Sequence, residues 1–161
     1  MKKVIIFGNS GSGKSTLAKR LSHEGLAHLD LDTLAWVDGS AERAPINESR
    51  AKIESFMAEH ASWVIEGCYA DLLSVALAHA TELVFMNLPI ELCIENARNR
   101  PWEPHKYESK AAQDANLDML TSWIAQYDER EDVFSRAAHH KLYSEYTGTK
   151  RMIIKNEAYD N

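Results

Sequence analysis

Val4-Ile5-Ile6-Phe7-Gly8-Asn9-Ser10-Gly11-Ser12-Gly13-Lys14-Ser15-Thr16 decides the fold. Four apolar residues read as a buried strand and the glycine-rich stretch as a loop. Leu17, Ala18 and Leu21 then recur at the spacing of a helix, with Gly25 as its stop. Gly8, Gly13, Lys14 and Ser15 satisfy G-x-x-x-x-G-K-[ST], the phosphate-binding P-loop. Glycines let the backbone curl until successive N–H groups point inward, and the N-terminus of the following helix adds roughly half a positive charge. Gly8 through Thr16 is therefore predicted to cradle a polyphosphate. Lys14 would lie along the outer phosphates, and the Ser15 hydroxyl would be one ligand of a Mg2+ ion. The plainer alternative, a flexible turn with a capping serine, explains neither the strand before nor the helix after.

The chain has 161 residues, 45% hydrophobic and 26% charged, with a formal net charge of −6. That is enough to bury a core in one domain without a disulfide or structural metal. No apolar run approaches the ~20 residues of a membrane span. The run after Met1-Lys2-Lys3 stops after four residues, too short for a signal peptide. An acidic chain argues against a nucleic-acid partner, whose phosphates select a basic face. Cys68 and Cys93 are far apart, with no C-x-x-C and no Cys/His ligand spacing, so free thiols in a cytoplasmic protein are expected. The expected partner is a small-molecule phosphoryl acceptor, with no nucleic acid and no membrane, and the protein a monomer or homodimer.

Leu26 to Asp32 alternates apolar and polar residues as a strand requires, which would set Asp30 and Asp32 on one side, roughly 7 Å apart. There they suit water-mediated Mg2+ contact and capture of a hydroxyl substrate; the alternative is a loop in which Asp32 caps Thr33-Leu34-Ala35-Trp36. The strand's place beside the P-loop favours the functional reading, because ligands of open α/β sheets gather at the carboxyl ends of strands. Residues 37–45, with Asp38-Gly39-Ser40 and a proline, read as a mobile connection. A helix from about Asn47 to His60 follows, with Arg43 and Arg50 as further substrate contacts.

Trp63-Val64-Ile65 is a third strand ending in Glu66-Gly67. Glu66 is either an outer-shell partner for Mg2+ or a hydrogen-bond acceptor for substrate, and Gly67 allows close approach of a ligand; a simple turn carboxylate is the alternative. Asp71 to His79 reads as a helix and Glu82 to Leu88 as a strand buried on both faces. Pro89 opens the next helix. Its end, Asn96 to Tyr107, holds two prolines and the cations Arg98, Arg100 and Lys106. Arg98 or Arg100 is predicted to be a lid arginine closing over the transferring phosphoryl group, against the alternative of cations that only complement a helix terminus. Leu117, Leu120, Ile124 and Tyr127 mark a long helix, and Val133 to Leu142 another, with His139-His140 read as surface residues. Lys150 to Lys155 is a fifth strand. Strands alternating with helices predict an α/β domain with a mainly parallel sheet and right-handed crossovers.

These residues resemble the small P-loop kinases of the adenylate and shikimate kinase type and, more narrowly, the DNA topology modulation (FlaR-like) kinases. The likeness rests on Gly8 to Thr16, on Leu29-Asp30-Leu31-Asp32-Thr33-Leu34-Ala35-Trp36, on Trp63 to Tyr69, and on Leu88-Pro89 with the Arg98/Arg100 region. It implies a three-layer α/β/α sandwich with a five-stranded parallel sheet in the order 2-3-1-4-5, a single domain over residues 1–161 and a mobile lid at about 99–113. It also implies an ATP·Mg2+ donor and an acceptor held by the helices after strands two and three. Asp32 matches the substrate-facing acid. Asp30 stands where shikimate kinases carry an acid near the metal and the narrower group often has His. Cys68 replaces a usual Asn and Asn87 a usual Asp, so acceptor identity does not carry over, and a role on DNA fits an acidic chain poorly.

The expected activity is transfer of the γ-phosphoryl of ATP·Mg2+ to a small hydroxyl- or phosphate-bearing acceptor. Lys14, Asp32, Arg98 and Arg100 would be catalytic. Asp30, Asp32, Glu66 and Gly67 would meet the acceptor, and Ser15 and Asp30 the metal. The competing class is a nucleotide-dependent regulatory ATPase or switch. The chain lacks an N-K-x-D-like run and a D-x-x-G switch, which disfavours a GTPase of that class.

Overall fold

The computed structural model describes residues 1–38, 40 and 42–156; Gly39 of the predicted connection lies outside them. The strands β1 (Lys3–Gly8), β2 (Ala27–Asp30), β3 (Trp63–Gly67), β4 (Glu82–Met86) and β5 (Thr149–Ile153) form one parallel sheet in the order β2-β3-β1-β4-β5. This is the predicted order. Between the strands run α1 (Lys14–Ser22), α2 (Ile46–Glu59), α3 (Ala70–Leu77), α4 (Ile90–Arg98), α5 (Lys110–Ala115), α6 (Leu117–Ala125) and α7 (Arg136–Glu145).

Side-chain alternation on the central strands builds two cores, one on each face. Ile5 and Phe7 of β1 pack with Trp63, Ile65, Leu83 and Phe85 beneath Ile53 of α2, Leu72 of α3 and Leu142 of α7. Val4 and Ile6 point the other way, with Val64, Val84 and Met86, under Leu17 of α1, Cys93 of α4 and Ile124 of α6. Because both faces are covered, the strands read as continuous apolar runs rather than as half-polar ones. The Phe7 and Phe85 rings stack at 4.9 Å, joining the two central strands on one face.

Four expectations change. β2 ends at Asp30, and residues Leu31–Thr33 turn into a single 3-10 turn, so Asp30 and Asp32 do not share one side of a strand. Asp30 is itself the cap, its Oδ1 accepting from the Asp32 amide at 2.9 Å, which reverses the capping role considered for Asp32. Leu31 drives the turn: it is fully buried against the sheet, where continued alternation would have kept the chain extended. The helix predicted from Leu117 to Tyr127 is α6, which stops at Ala125, so that Tyr127 lies just beyond it yet is buried; α5 precedes it as a separate short helix. α7 starts at Arg136, capped by Ser135, whose Oγ accepts from the Ala138 amide.

His139 is the fourth change. It is fully buried rather than on the surface, while His140 is exposed. Its Nε2 faces the Cys68 carbonyl at 2.8 Å and its Nδ1 the Tyr127 hydroxyl at 2.6 Å. A carbonyl can only accept, so Nε2 carries the proton and Tyr127 donates to Nδ1. The neutral ring ties α7 to the end of β3, and burial pushes its pKa down to about 4. The two cysteines are free thiols, as expected. Among the described residues no helix is long and apolar enough to cross a membrane.

Candidate active site

The P-loop curls between β1 and α1 as its sequence demands. Gly11 (φ +78°) and Gly13 (φ +96°) occupy backbone conformations that side chains disfavour, and a Cβ on Gly11 would run into the Cys93 carbonyl oxygen. Gly13 is the N-cap of α1 and brings no side chain to bond the first-turn amides, which therefore stay open to an anion. Lys14 lies back over the loop, Nζ donating to the Asn9 carbonyl at 2.7 Å. Asn9 is buried and anchored by its Nδ2 to the Ile124 carbonyl at 3.2 Å, while its Oδ1 accepts from the Ser10 amide. Thr16 is exposed on the first turn.

At the neighbouring strand ends three polar side chains share the α1 face. Glu66 follows Val64 on that face of β3, and Asp30 is its register partner on β2, two residues after His28. Glu66 is 2% exposed, and its Oε2 accepts from Ser15 Oγ and meets His28 Nε2, each at 2.9 Å. The P-loop serine is thereby tied to the tip of the adjacent strand. Burial, then the charges of Glu66 and Asp32, raise the Asp30 pKa to about 6.

Among the described residues no cluster of three or more His, Cys, Asp and Glu side chains is placed to hold a metal. A cation beside the P-loop would take Ser15 Oγ, whose lone pairs stay free while its proton goes to Glu66. Phosphate oxygens and waters facing Asp30 and Glu66 would complete the shell. That donor set fits Mg2+, which keeps most of its water and binds few protein groups.

Two residues past Asp30, Asp32 lies within the 3-10 turn itself. Its Oδ1 accepts from the Tyr69 hydroxyl, and its Oδ2 lies 3.1 Å from Lys106 Nζ. Burial pushes the Asp32 pKa up, but Lys106, the Tyr69 hydrogen bond and Lys14 outweigh it and hold the carboxyl below its ordinary value. Trp36 Nε1 donates to the same Tyr69 hydroxyl at 2.8 Å. The connection before α2 forms a short antiparallel arm pairing Trp36 with Arg43. Arg43 packs its guanidinium 5.0 Å from the Tyr69 ring and pairs with Asp71 at 3.0 Å. Arg50 is exposed.

Arg98, the last residue of α4, is exposed, and Arg100 just beyond it pairs with Glu103 at 3.2 Å. Of the cations in this segment, Lys106 is the one that meets Asp32. Gly67 packs against Leu31, which would stand 3.0 Å from a Cβ placed there, so its smallness serves the entry of the 3-10 turn. Asn87 at the tip of β4 accepts from Arg136 of α7.

Sequence reading missed Lys106 as an Asp32 partner, together with Tyr69 and His28. Only His28 carried a local signal, because the alternation that set Asp30 toward α1 sets His28 there too.

Residues 4–117 match the AAA-domain family AAA_18. An uncharacterized Bacillus subtilis (strain 168) protein, YqaC, is 29% identical over 145 residues, covering 86% of this chain and 80% of its own. Among solved structures, the shikimate kinase of Bacteroides thetaiotaomicron superposes with a TM-score of 0.57 at 19% identity, over 99% of this chain and 89% of that one. The shikimate kinase of Acinetobacter baumannii, in complex with shikimate, gives 0.56 at 14% identity over 98% and 85%. A sugar kinase from Janibacter sp. HTCC2649 gives 0.53 at 11% identity over 96% and 85%. At such identities these likenesses describe a shared fold, that of P-loop kinases. With the family match spanning residues 4–117, most of the sequence, the chain belongs to the AAA-domain family of P-loop proteins.

Proposed function

We propose that this protein is a phosphotransferase that moves the γ-phosphoryl group of ATP·Mg2+ to a small acceptor bearing a hydroxyl or phosphate. One observation carries the reading: the Asp32 carboxylate, in the turn that follows β2, is held between the Tyr69 hydroxyl and Lys106 Nζ, while Ser15 of the P-loop is tied to Glu66 at the tip of the adjoining strand β3. An acceptor oxygen orienting on Asp32 would face the outer phosphate that Lys14 accompanies. The family match, the kinase-like fold and the narrower FlaR-like resemblance of the motifs support the same class.

The open amides of α1 and the Lys14 ammonium bind the phosphate tail. Mg2+, when bound through Ser15, supplies charge neutralisation and geometry for the phosphates. Glu66 holds the Ser15 hydroxyl in position, and Asp30 would accept from water carried by the bound ion. Asp32 orients the acceptor oxygen. As that oxygen bonds to the γ-phosphorus, the bond to the β–γ bridging oxygen breaks and ADP departs with the bridging oxygen. For a hydroxyl acceptor, the proton passes toward Asp32 and then to water. Arg98 or Arg100, swung inward on lid closure, and Lys106 offset charge on the transferring group. Catalysis is mostly positioning and electrostatics.

The test is Lys14→Ala together with a screen of ATP consumption against nucleosides, nucleotides, sugars and hydroxy acids. One acceptor class should stimulate ADP release in the wild type, and the variant should lose that turnover by orders of magnitude with its fold intact. Near-normal turnover in Lys14→Ala removes this mechanism, and stimulation only by a protein partner supports the switch instead.

A further inference from the structure

Two side-chain amides from outside the P-loop meet behind it. Asn96 of α4 donates through Nδ2 to the Gly11 carbonyl and to Asn156 Oδ1, both at 2.8 Å. Asn156, three residues past β5, donates through its own Nδ2 to the Ser12 carbonyl at 3.0 Å. Two consecutive loop carbonyls are thus taken by a linked pair of asparagines that come from elements 60 residues apart. The contact is close-packed. Asn156 Nδ2 lies 2.7 Å from where a Cβ on Gly13 would be, and the Cys93 carbonyl of the same α4 fills the space beside Gly11.

In a trans peptide the C=O and the following N–H point in opposite directions. Bonding the Gly11 and Ser12 carbonyls from behind therefore turns the Ser12 and Gly13 amides toward the inside of the curl. The Ser12 amide is held across the curl by the Asn9 carbonyl at 3.2 Å, so the amide that this arrangement presents to an anion is that of Gly13. Gly11 and Gly13 both sit at positive φ, and a glycine-rich loop left to itself has many other peptide orientations within reach. Choosing one of them before the anion arrives lowers the ordering cost of binding.

We propose that Asn96 and Asn156 are positioning residues that pre-set the P-loop amides for a polyphosphate, acting from the side of the loop that the ligand does not touch. The proposal rests on the nucleotide-binding part of the functional reading and not on any acceptor. It makes the chain just after β5 part of the phosphate site.

The experiment is calorimetric titration of the full chain with inorganic tripolyphosphate in Mg2+, alongside Mg·ATP. Tripolyphosphate presents the phosphates without base or ribose. Asn96→Ala and Asn156→Ala should each weaken both ligands by about tenfold, the loss of one or two hydrogen bonds. The double variant should lose less than the product of the singles, because the two amides share a bond. Asn156→Asp, of equal volume but with an acceptor aimed at the Ser12 carbonyl, should behave like Asn156→Ala at an unchanged unfolding midpoint. Weaker ATP binding with unchanged tripolyphosphate binding would make Asn156 a contact to base or ribose and overturn the proposal. So would affinities unchanged for both ligands, or a wild type that binds neither. A wild type that binds tripolyphosphate but turns over no acceptor defeats the kinase reading and leaves this one standing.

Discussion

Lys106 Nζ lies 3.1 Å from Asp32 Oδ2, an ion pair that joins the segment after α4 to the 3-10 turn after β2. Burial works against the Lys106 charge, but Asp32, Asp30 and Glu103 outweigh it and raise its pKa above the ordinary value. The Tyr69 hydroxyl holds the other Asp32 oxygen, which fixes the carboxylate between a tyrosine and a lysine.

Removing the cation from this pair should be felt on the acceptor side. Lys106→Gln is expected to lower kcat/KM for the acceptor by about 10–100-fold, the scale of one hydrogen bond to a charged group. The Kd of Mg·ATP should stay within about twofold. Steady-state kinetics at saturating ATP, paired with calorimetry, checks this. A parallel loss of ATP affinity would place Lys106 on the donor side instead.

Asp30→Asn should trade function for stability. The raised pKa of Asp30, to about 6, means that its ionised form is disfavoured in the fold, so stability is lost as pH rises from its ordinary 3.8 through 6. The amide keeps an oxygen for the Asp32 N–H and removes a negative charge from beside Glu66. At pH 7.5 the variant should be more stable by on the order of 1–2 kcal/mol, while Mg2+-dependent turnover falls at least tenfold. Urea unfolding and an activity assay at that pH decide it, and a destabilised variant contradicts the account.

Glu66→Gln tests the bond between strand tip and P-loop. The carboxylate accepts from Ser15 and meets His28 while almost fully buried, and an amide of the same shape makes a weaker acceptor. ATP affinity in the presence of Mg2+ should fall about tenfold, while affinity in EDTA is nearly unchanged. Equal losses in both conditions would mean that Glu66 supports the loop and not the metal.

His139 predicts an acid-labile fold. Its pKa of about 4 in the native state lies below the ordinary 6.5, so as pH falls the unfolded chain takes up its proton first. Stability is therefore lost between about pH 6.5 and 4, by on the order of 3 kcal/mol from this ring. His139→Asn should be less stable than wild type at pH 7.5 but show a flatter profile across that window. Parallel profiles in urea melts at pH 7.5 and 4.5 would refute the assignment.

The P-loop and the alternation of strands and helices were legible because they are local. A curl that turns amides inward needs glycines at set positions, and a sheet covered on both faces needs unbroken apolar runs such as Val4 to Phe7 and Leu83 to Met86. Sequence alone also placed Glu66 and Asp30 at adjacent strand tips. It could not foresee that Leu31 finds a buried place where β2 gives way to a turn, so that Asp30 caps the turn and Asp32 sits within it. Nor could it foresee that the Cys68 carbonyl and the Tyr127 hydroxyl draw His139 inside, or that Lys106 reaches Asp32. Those outcomes, like the Asn96–Asn156 clasp, depend on which groups from distant parts of the chain arrive at one point in space. Periodicity records which face a residue occupies, while the partner waiting on that face is set by tertiary packing.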